Sequence, residues 1–165
     1  MTRTTLKTQL AACLIGAIAV TSCAAPPTSL APGQLETLVD RSGVAIGGYD
    51  PVEYFTSGEP RPGSEEWEAS HAGATYRFVS EENRELFVAD PGRFAPAYGG
   101  WCAWALADGD GSLVEIDPRS FLVQDGRLLL FYDGWLADTR KLWLERDVTE
   151  LARAGDQNWQ RIAGN

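Results

Sequence analysis

The sequence predicts a single small α+β domain in which short antiparallel hairpins pack against helices. Two pairs of short strand candidates are each separated by a glycine-containing turn, at residues 72–74 and 124–126. Segments that follow the capping residues Ser80 and Asp147 can form helices. A chain of 165 residues suits one domain, so we expect these elements to share one core.

The first part of this domain is expected to hold a short strand and a short helix. Residues 44–46 are apolar and end at a glycine pair, which favours a strand. Asp50 stands at a helix N-cap, with Pro51 at the first helical position and Glu53 three residues after the cap. A short helix through residues 54–55 should follow.

A hairpin and a helix are predicted next. Residues 68–71 and 75–79 form the two strands of the hairpin. Ser80 can cap a helix over residues 81–89, whose first two glutamates suit the positive end of a helix. The Asp-Pro pair at 90–91 ends it, because a residue before proline disfavours helical backbone.

The last third of the chain repeats this pattern. Residues 121–123 and 127–132 flank a turn of Gln, Asp and Gly, which indicates a second hairpin. Asp147 and Glu150 have the spacing of a capping box. Apolar residues then recur at intervals of three and four, so residues 148–163 are expected to form an amphipathic helix.

The N-terminus resembles a bacterial lipoprotein signal. Two cations precede the apolar run 10–20, which is too short to span a bilayer, and small residues lead to Cys23. The resemblance implies that residues 1–22 are removed and that lipidated Cys23 anchors the exported protein at the periplasmic face of a bacterial membrane. The absence of Asp at position 24 suggests sorting to the outer membrane. An ordinary signal peptide, cleaved near Ala24 or Ala25, is the alternative.

The residues after the signal are predicted to be a flexible tether and an acidic domain. Residues 23–34 comprise the lipidated cysteine and a short stretch rich in proline and small residues, of which residues 24–34 would reach about 30 Å if extended. The chain has a net charge of −9, and loss of Arg3 and Lys7 with the signal deepens it. An acidic protein lacks the basic surface that nucleic acid requires, so the membrane is the expected partner, and a protein partner stays unidentified.

Three stretches together resemble the YHS domain family in its small exported bacterial form. They read GYDPVEYF at residues 48–55, GATYRFVSEENRELF at 73–87 and DPGRFAPAYGGWCA at 90–103. The likeness covers most of residues 44–160, and the domain that carries it is expected to occupy residues 35–165, after the tether. It implies a small α+β domain associated with the handling of heavy metals.

The chain departs from the metal-binding pattern of this family at two positions. Cysteine-bearing relatives read approximately Tyr-x-Phe-Cys-Ser-x-x-Cys, but this chain has Val79 and Asn83 where the cysteines stand. A soft-metal site at this corner is therefore not expected. Tyr76, Phe78 and Phe87 are predicted to be core aromatics.

Cys102 is the one thiol that remains after signal removal and lipidation, so no intrachain disulfide can form. It follows the glycine pair at 99–100, in an apolar run over residues 101–106 whose period fits either a strand or a helix. The thiol could be a metal ligand, a redox group or half of an intermolecular disulfide. Alternatively, it is an inert buried residue.

His71 is the single histidine of the chain and the natural partner for such a thiol. Imidazole and thiolate together favour copper or zinc, so Cys102 and His71 are the candidate metal ligands. Two ligands do not complete a site, and carboxylates, water or a second chain would have to supply the others. The alternative is a surface histidine at a hairpin end.

No catalytic residues are assigned, because no catalytic constellation or phosphate-binding motif is found in the chain. The first hypothesis is a membrane-anchored YHS-domain lipoprotein that binds or senses copper or zinc through Cys102. The second is a non-catalytic structural or protein-interaction lipoprotein of the cell envelope, with Cys102 in its core. A thiol redox protein is the weakest hypothesis, because the chain holds no resolving cysteine.

Overall fold

The first hairpin has the position that the sequence predicts. The computed structural model describes residues 37–108 and 111–163. In it, β1 (Ser64–His71) pairs antiparallel with β2 (Ala74–Phe78). The turn uses left-handed backbone at Ala72 and Gly73, with φ of 48° and 78°. Strand β1 begins earlier than predicted because the pairing continues past an irregularity between Ser64 and Glu68.

Helix α2 (Glu81–Ala89) has the predicted bounds. The Ser80 hydroxyl accepts a hydrogen bond from the backbone N–H of Asn83 at 3.2 Å, which caps the first turn. The helix packs against both strands of the first hairpin. Asp90 ends α2 and then caps a further single-turn helix that was not predicted, α3 (Pro91–Phe94).

The first predicted strand and the predicted cap of the first helix need correction. Residues 44–46 do not form a strand, because Val44 and Ala45 make only isolated bridges and a 3₁₀ turn (Ile46–Gly48) follows at once. Helix α1 (Glu53–Thr56) includes residues 54–55 as predicted, but it begins at Glu53, so Asp50 is not its N-cap. The carboxylate of Asp50 instead accepts a bond from the N–H of Val52 and turns into the core.

The second hairpin also follows the prediction. Strand β3 (Asp117–Gln124) pairs antiparallel with β4 (Arg127–Phe131) across a two-residue turn. Strand β3 starts earlier than expected because of a second irregularity, between Asp117 and Phe121. A short loop then leads to α5 (Thr139–Leu144), a helix that the sequence analysis did not predict.

The apolar run at residues 101–106, whose period fits either a strand or a helix, contains a short helix, α4 (Ala103–Ala107). Cys102 stands at its N-cap position, one residue outside the helix. The predicted C-terminal helix is present as α6 (Val148–Ile162), with the Asp147 carboxylate capping two backbone N–H groups. Helix α4 packs along α6.

Two apolar clusters fill the domain. The first joins the first hairpin, α2 and α3 with one side of β4, and it contains the predicted core aromatics Tyr76, Phe78 and Phe87. The second joins the other side of β4 with α4, α5 and α6, around the fully buried Trp143. Strand β4 supplies alternate side chains to the two clusters, as the two-residue period of a strand requires.

The protein is therefore an α+β domain with two hairpins packed against helices, as its sequence predicts. The described residues belong to one compact unit. None of the helices within 37–108 and 111–163 is long and apolar enough to cross a membrane. The predictions for the signal at 1–22, for Cys23 and for the tether lie outside the described residues.

Candidate functional site

A buried carboxylate lies at the corner between the first hairpin and α2. Asp50 is 0% exposed. Its Oδ1 accepts from the N–H of Val52 at 2.8 Å, and its Oδ2 accepts from the N–H of Val79 and from Nδ2 of Asn83, both at 2.8 Å. Three donors thus replace part of the hydration that the carboxylate loses on burial.

A second carboxylate shares the same amide. Nδ2 of Asn83 also donates to Oε1 of Glu53 at 2.9 Å, so one amide group bridges the two acids. The other oxygen of Glu53 is 3.3 Å from a guanidinium nitrogen of Arg61. Since Glu53 and Asn83 are themselves buried, this network, which we name the Asp50 corner, is closed to solvent on most sides.

The pKa values of the two acids of the Asp50 corner are shifted in opposite directions from their ordinary values. Burial raises the pKa of Asp50, although bonds from Asn83 and two backbone N–H groups partly oppose it. Burial would also raise the pKa of Glu53, but hydrogen bonds, including those from Asn83 and Arg61, outweigh it and hold that pKa below its ordinary value.

The Asp50 corner includes Val79 and Asn83, the two positions that the predicted YHS resemblance sets against cysteines. Val79 contributes its backbone N–H and Asn83 its side-chain amide. Sequence reasoning flagged both positions but did not connect them with Asp50, because they are far apart in the chain. The one signal was the pair Asp50 and Glu53, which was interpreted as a helix cap.

Cys102 is completely buried where the end of β4 meets the starts of α4 and α5. The backbone N–H of Tyr132 donates to its Sγ at 3.4 Å, and Oγ1 of Thr139 lies 3.5 Å from the same sulfur. The Thr139 hydroxyl donates its proton to the carbonyl of Tyr132 at 2.7 Å. The thiol must therefore donate to Thr139, which closes a ring of three hydrogen bonds.

An open pocket of about 440 Å³ lies beside this ring. Its wall combines Cys102, Tyr132 and Thr139 with mainly apolar side chains, including Trp104 and Leu136. The volume suits a small ligand, and a mostly apolar lining with a few polar groups is usual for such sites. Cys102 belongs to the wall of the pocket, but the residue is 0% exposed.

His71 has different neighbours from Cys102. It is half-buried at the end of β1, with its ring 5.9 Å from that of Phe87 and 6.5 Å from that of Tyr76. These aromatics belong to the first apolar cluster, whereas the thiol faces Tyr132 and Thr139. Among residues 37–108 and 111–163, no group of three or more His, Cys, Asp or Glu side chains is placed to hold a metal ion.

The sequence analysis missed one exposed feature near the pocket. Trp135 and Leu136 lie in the loop between β4 and α5 and project into solvent. The signal was present, because this apolar pair stands between turn-forming residues in Asp-Gly-Trp-Leu-Ala-Asp, where no helix or strand can bury it.

Fold and sites together define a small α+β domain with a closed polar corner and an apolar pocket beside a buried thiol. Neither protein-family models nor searches of curated proteins and solved structures give a match to this chain. The YHS resemblance therefore stays a prediction that depends on the three sequence stretches.

Proposed function

We propose that the protein is a non-catalytic interaction lipoprotein of the bacterial cell envelope. Cys23 carries the lipid anchor, residues 24–34 form the tether, and the folded domain is held at the periplasmic face of the membrane. Cys102 serves as a core residue. The burial of this thiol within a closed hydrogen-bonded ring is the observation that supports the proposal.

The ring favours a structural thiol for a chemical reason. Cys102 both accepts a hydrogen bond and donates its own proton, whereas metal binding and redox chemistry require a thiolate. Turning the sulfur toward a metal would break the bonds to Tyr132 and Thr139. His71 packs against aromatics of the other cluster, so it offers no second ligand beside the sulfur.

A metal titration tests the core assignment. Isothermal calorimetry with zinc, and with copper under reducing conditions, would compare the wild type with Cys102→Ala. We expect the two heat profiles to match. A near-stoichiometric binding event that the wild type shows and Cys102→Ala lacks would overturn the proposal and establish the metal-binding hypothesis.

The anchor has its own test. In an expressing bacterium, mass spectrometry of the N-terminal peptide is expected to find acyl chains on Cys23. Replacement by serine should abolish both the acylation and stable membrane attachment, because at least two acyl chains are needed for a lasting anchor. Membrane attachment that survives Cys23→Ser without acylation would contradict this assignment.

A further inference from the structure

The loop between β4 and α5 presents the two most exposed large apolar side chains of the described residues. Trp135 is 90% exposed and Leu136 is 68% exposed. They are adjacent, and Leu136 also forms part of the pocket wall beside Cys102. We name residues 133–138 the Trp135 loop. Two adjacent, exposed apolar side chains, one of them a tryptophan, indicate a surface that binds a membrane or another molecule.

The Trp135 loop is held in shape by its own backbone. Asp133 and Asp138 form an isolated antiparallel bridge across its base, and the N–H of Gly134 donates to the carbonyl of Ala137 at 3.2 Å. At Gly134 a side chain would collide with the ring of Tyr132. The tip is thus preorganised, and little conformational entropy is lost when it binds.

The surroundings of the Trp135 loop are electrically balanced, although the chain as a whole is acidic. Residues 132–146 carry three acids and three bases, namely Asp133, Asp138, Glu145, Arg140, Lys141 and Arg146. The net charge of −9 therefore resides elsewhere. An anionic membrane surface repels like charge, so this is a face that can approach such a surface without repulsion.

The chain enters the domain at the turn of the first hairpin. The hydroxyl of Thr37 donates to the carbonyl of Ala72 at 3.3 Å, and the N–H of Leu38 donates to the carbonyl of Gly99 at 2.8 Å. A tether that reaches about 30 Å when extended is comparable in length with the width of a domain of this size. It therefore allows the Trp135 loop to reach the membrane, although the loop does not lie where the chain enters.

We propose that the Trp135 loop docks on the lipid bilayer to which the domain is tethered, with Trp135 and Leu136 inserted at the headgroup level. This inference rests on the proposed lipid anchor. Tryptophan has a preferred place at membrane–water interfaces, since its ring is apolar and its N–H polar. The tether raises the effective concentration of the surface, so a weak contact is sufficient.

A second copy of the chain fits this loop less well. One tryptophan and one leucine cover at most about 400 Å², whereas a stable protein interface buries about 800 Å² on each partner. A bilayer has no such requirement, because the anchor supplies the affinity and the loop only sets which face meets the lipid.

Site-specific fluorescence tests the docking. Leu136→Cys is made in the full lipidated protein, labelled with an environment-sensitive nitrobenzoxadiazole dye and reconstituted in vesicles of phosphatidylethanolamine and phosphatidylglycerol. Val88→Cys is the matched control, because Val88 is also exposed, at 56%, but lies on α2. Cys102 is buried and stays unlabelled, which mock labelling of the wild type checks.

We expect the emission of the dye at position 136 to shift to the blue when vesicles are present. Lipids that carry a nitroxide near the headgroup should quench this emission. Neither effect is expected for the dye at position 88. Trp135→Ser in the Leu136→Cys protein should reduce both signals. Equal blue shifts and equal quenching at the two positions would overturn the docking. So would a response at position 136 that Trp135→Ser leaves unchanged, because the dye itself would then cause it.

Self-quenching that grows with the protein-to-lipid ratio would assign the loop to a second copy and also overturn the docking. The same samples separate this inference from the proposed function. An unacylated Cys23 refutes the anchor itself, whereas an acylated protein whose labels at positions 136 and 88 respond alike refutes only the docking of the loop.

Discussion

The side-chain amide nitrogen of Asn83 lies 2.8 Å from Oδ2 of Asp50 and donates a hydrogen bond to it, across 33 positions of sequence. The same nitrogen donates to Glu53, so one neutral side chain separates two buried carboxylates. Asn83→Ala leaves both acids short of a donor. We expect it to lower the free energy of unfolding by about 1–3 kcal/mol, measured by urea denaturation.

Two further variants sharpen this prediction. Asn83→Asp should destabilise more than Asn83→Ala, because it places a third carboxylate against Asp50 and Glu53. Glu85→Ala, on the exposed face of the same helix and beyond its first turn, is the control and should change stability little. If Asn83→Ala were no more damaging than Glu85→Ala, the Asp50 corner would have no structural role.

The Asp50 corner also predicts how stability depends on pH. The pKa of Glu53 lies below its ordinary value of 4.5 in the folded protein. Its stabilisation is therefore present above that value and is lost as the pH falls through the folded pKa. Asp50 acts in the opposite sense, because its raised pKa makes its contribution full below pH 3.8 and lost as the pH rises through the folded value.

Glu53→Gln isolates the first of these effects. We expect this variant to lose less stability than the wild type when unfolding is measured between about pH 5 and pH 3. Glu85→Gln serves as the matched control, because Glu85 is exposed and lies beyond the first turn of α2, and it should follow the wild-type curve. A Glu53→Gln curve parallel to that of the wild type would refute the assigned role of Glu53.

The hydrogen-bonded ring around Cys102 predicts a protected thiol. Alkylation by iodoacetamide in native buffer should be about 100-fold slower or more than in urea, because the sulfur reacts only after local opening. Cys102→Ala should fold and cost about 1–2 kcal/mol of stability. Rapid alkylation of the native protein would contradict the buried position and reopen the redox hypothesis.

One buried hydroxyl in the described part of the chain has no hydrogen-bond partner, that of Ser120. Its burial costs desolvation without a compensating bond, so Ser120→Ala should leave stability unchanged or raise it by up to about 1 kcal/mol. Thr139→Val is the contrasting change, because Thr139 bonds both Tyr132 and Cys102. Thermal unfolding should show a lower melting temperature for Thr139→Val than for the wild type, and no such decrease for Ser120→Ala.

Elements with strong local signals could be predicted from sequence, and three of the short helices could not. The serine cap and the Asp-Pro stop define α2, and a helical apolar period with an aspartate cap defines α6. Helices α3, α4 and α5 have only four to six residues. A helix of that length is not stable in isolation, and packing against the two clusters decides its existence.

The Cys102 site and the Asp50 corner also combine residues that the sequence indicates with partners that only the fold brings together. Cys102 was recognisable as the single remaining thiol, but its partners Tyr132 and Thr139 come from a strand end and a helix start that only the fold brings together. Asp50 was interpreted as a cap because its local spacing matches one. Its real partners, Val79 and Asn83, lie 29 and 33 positions away and leave no periodic signal.

The bond from the backbone N–H of Val79 to Asp50 links the start of the domain to the hairpin–helix junction. This amide cannot meet solvent deuterium unless the two segments separate. Its hydrogen exchange should therefore follow the global unfolding of the domain instead of the fraying of β2 or α2. One buried carboxylate thus makes two segments, remote in sequence, part of a single cooperative unit.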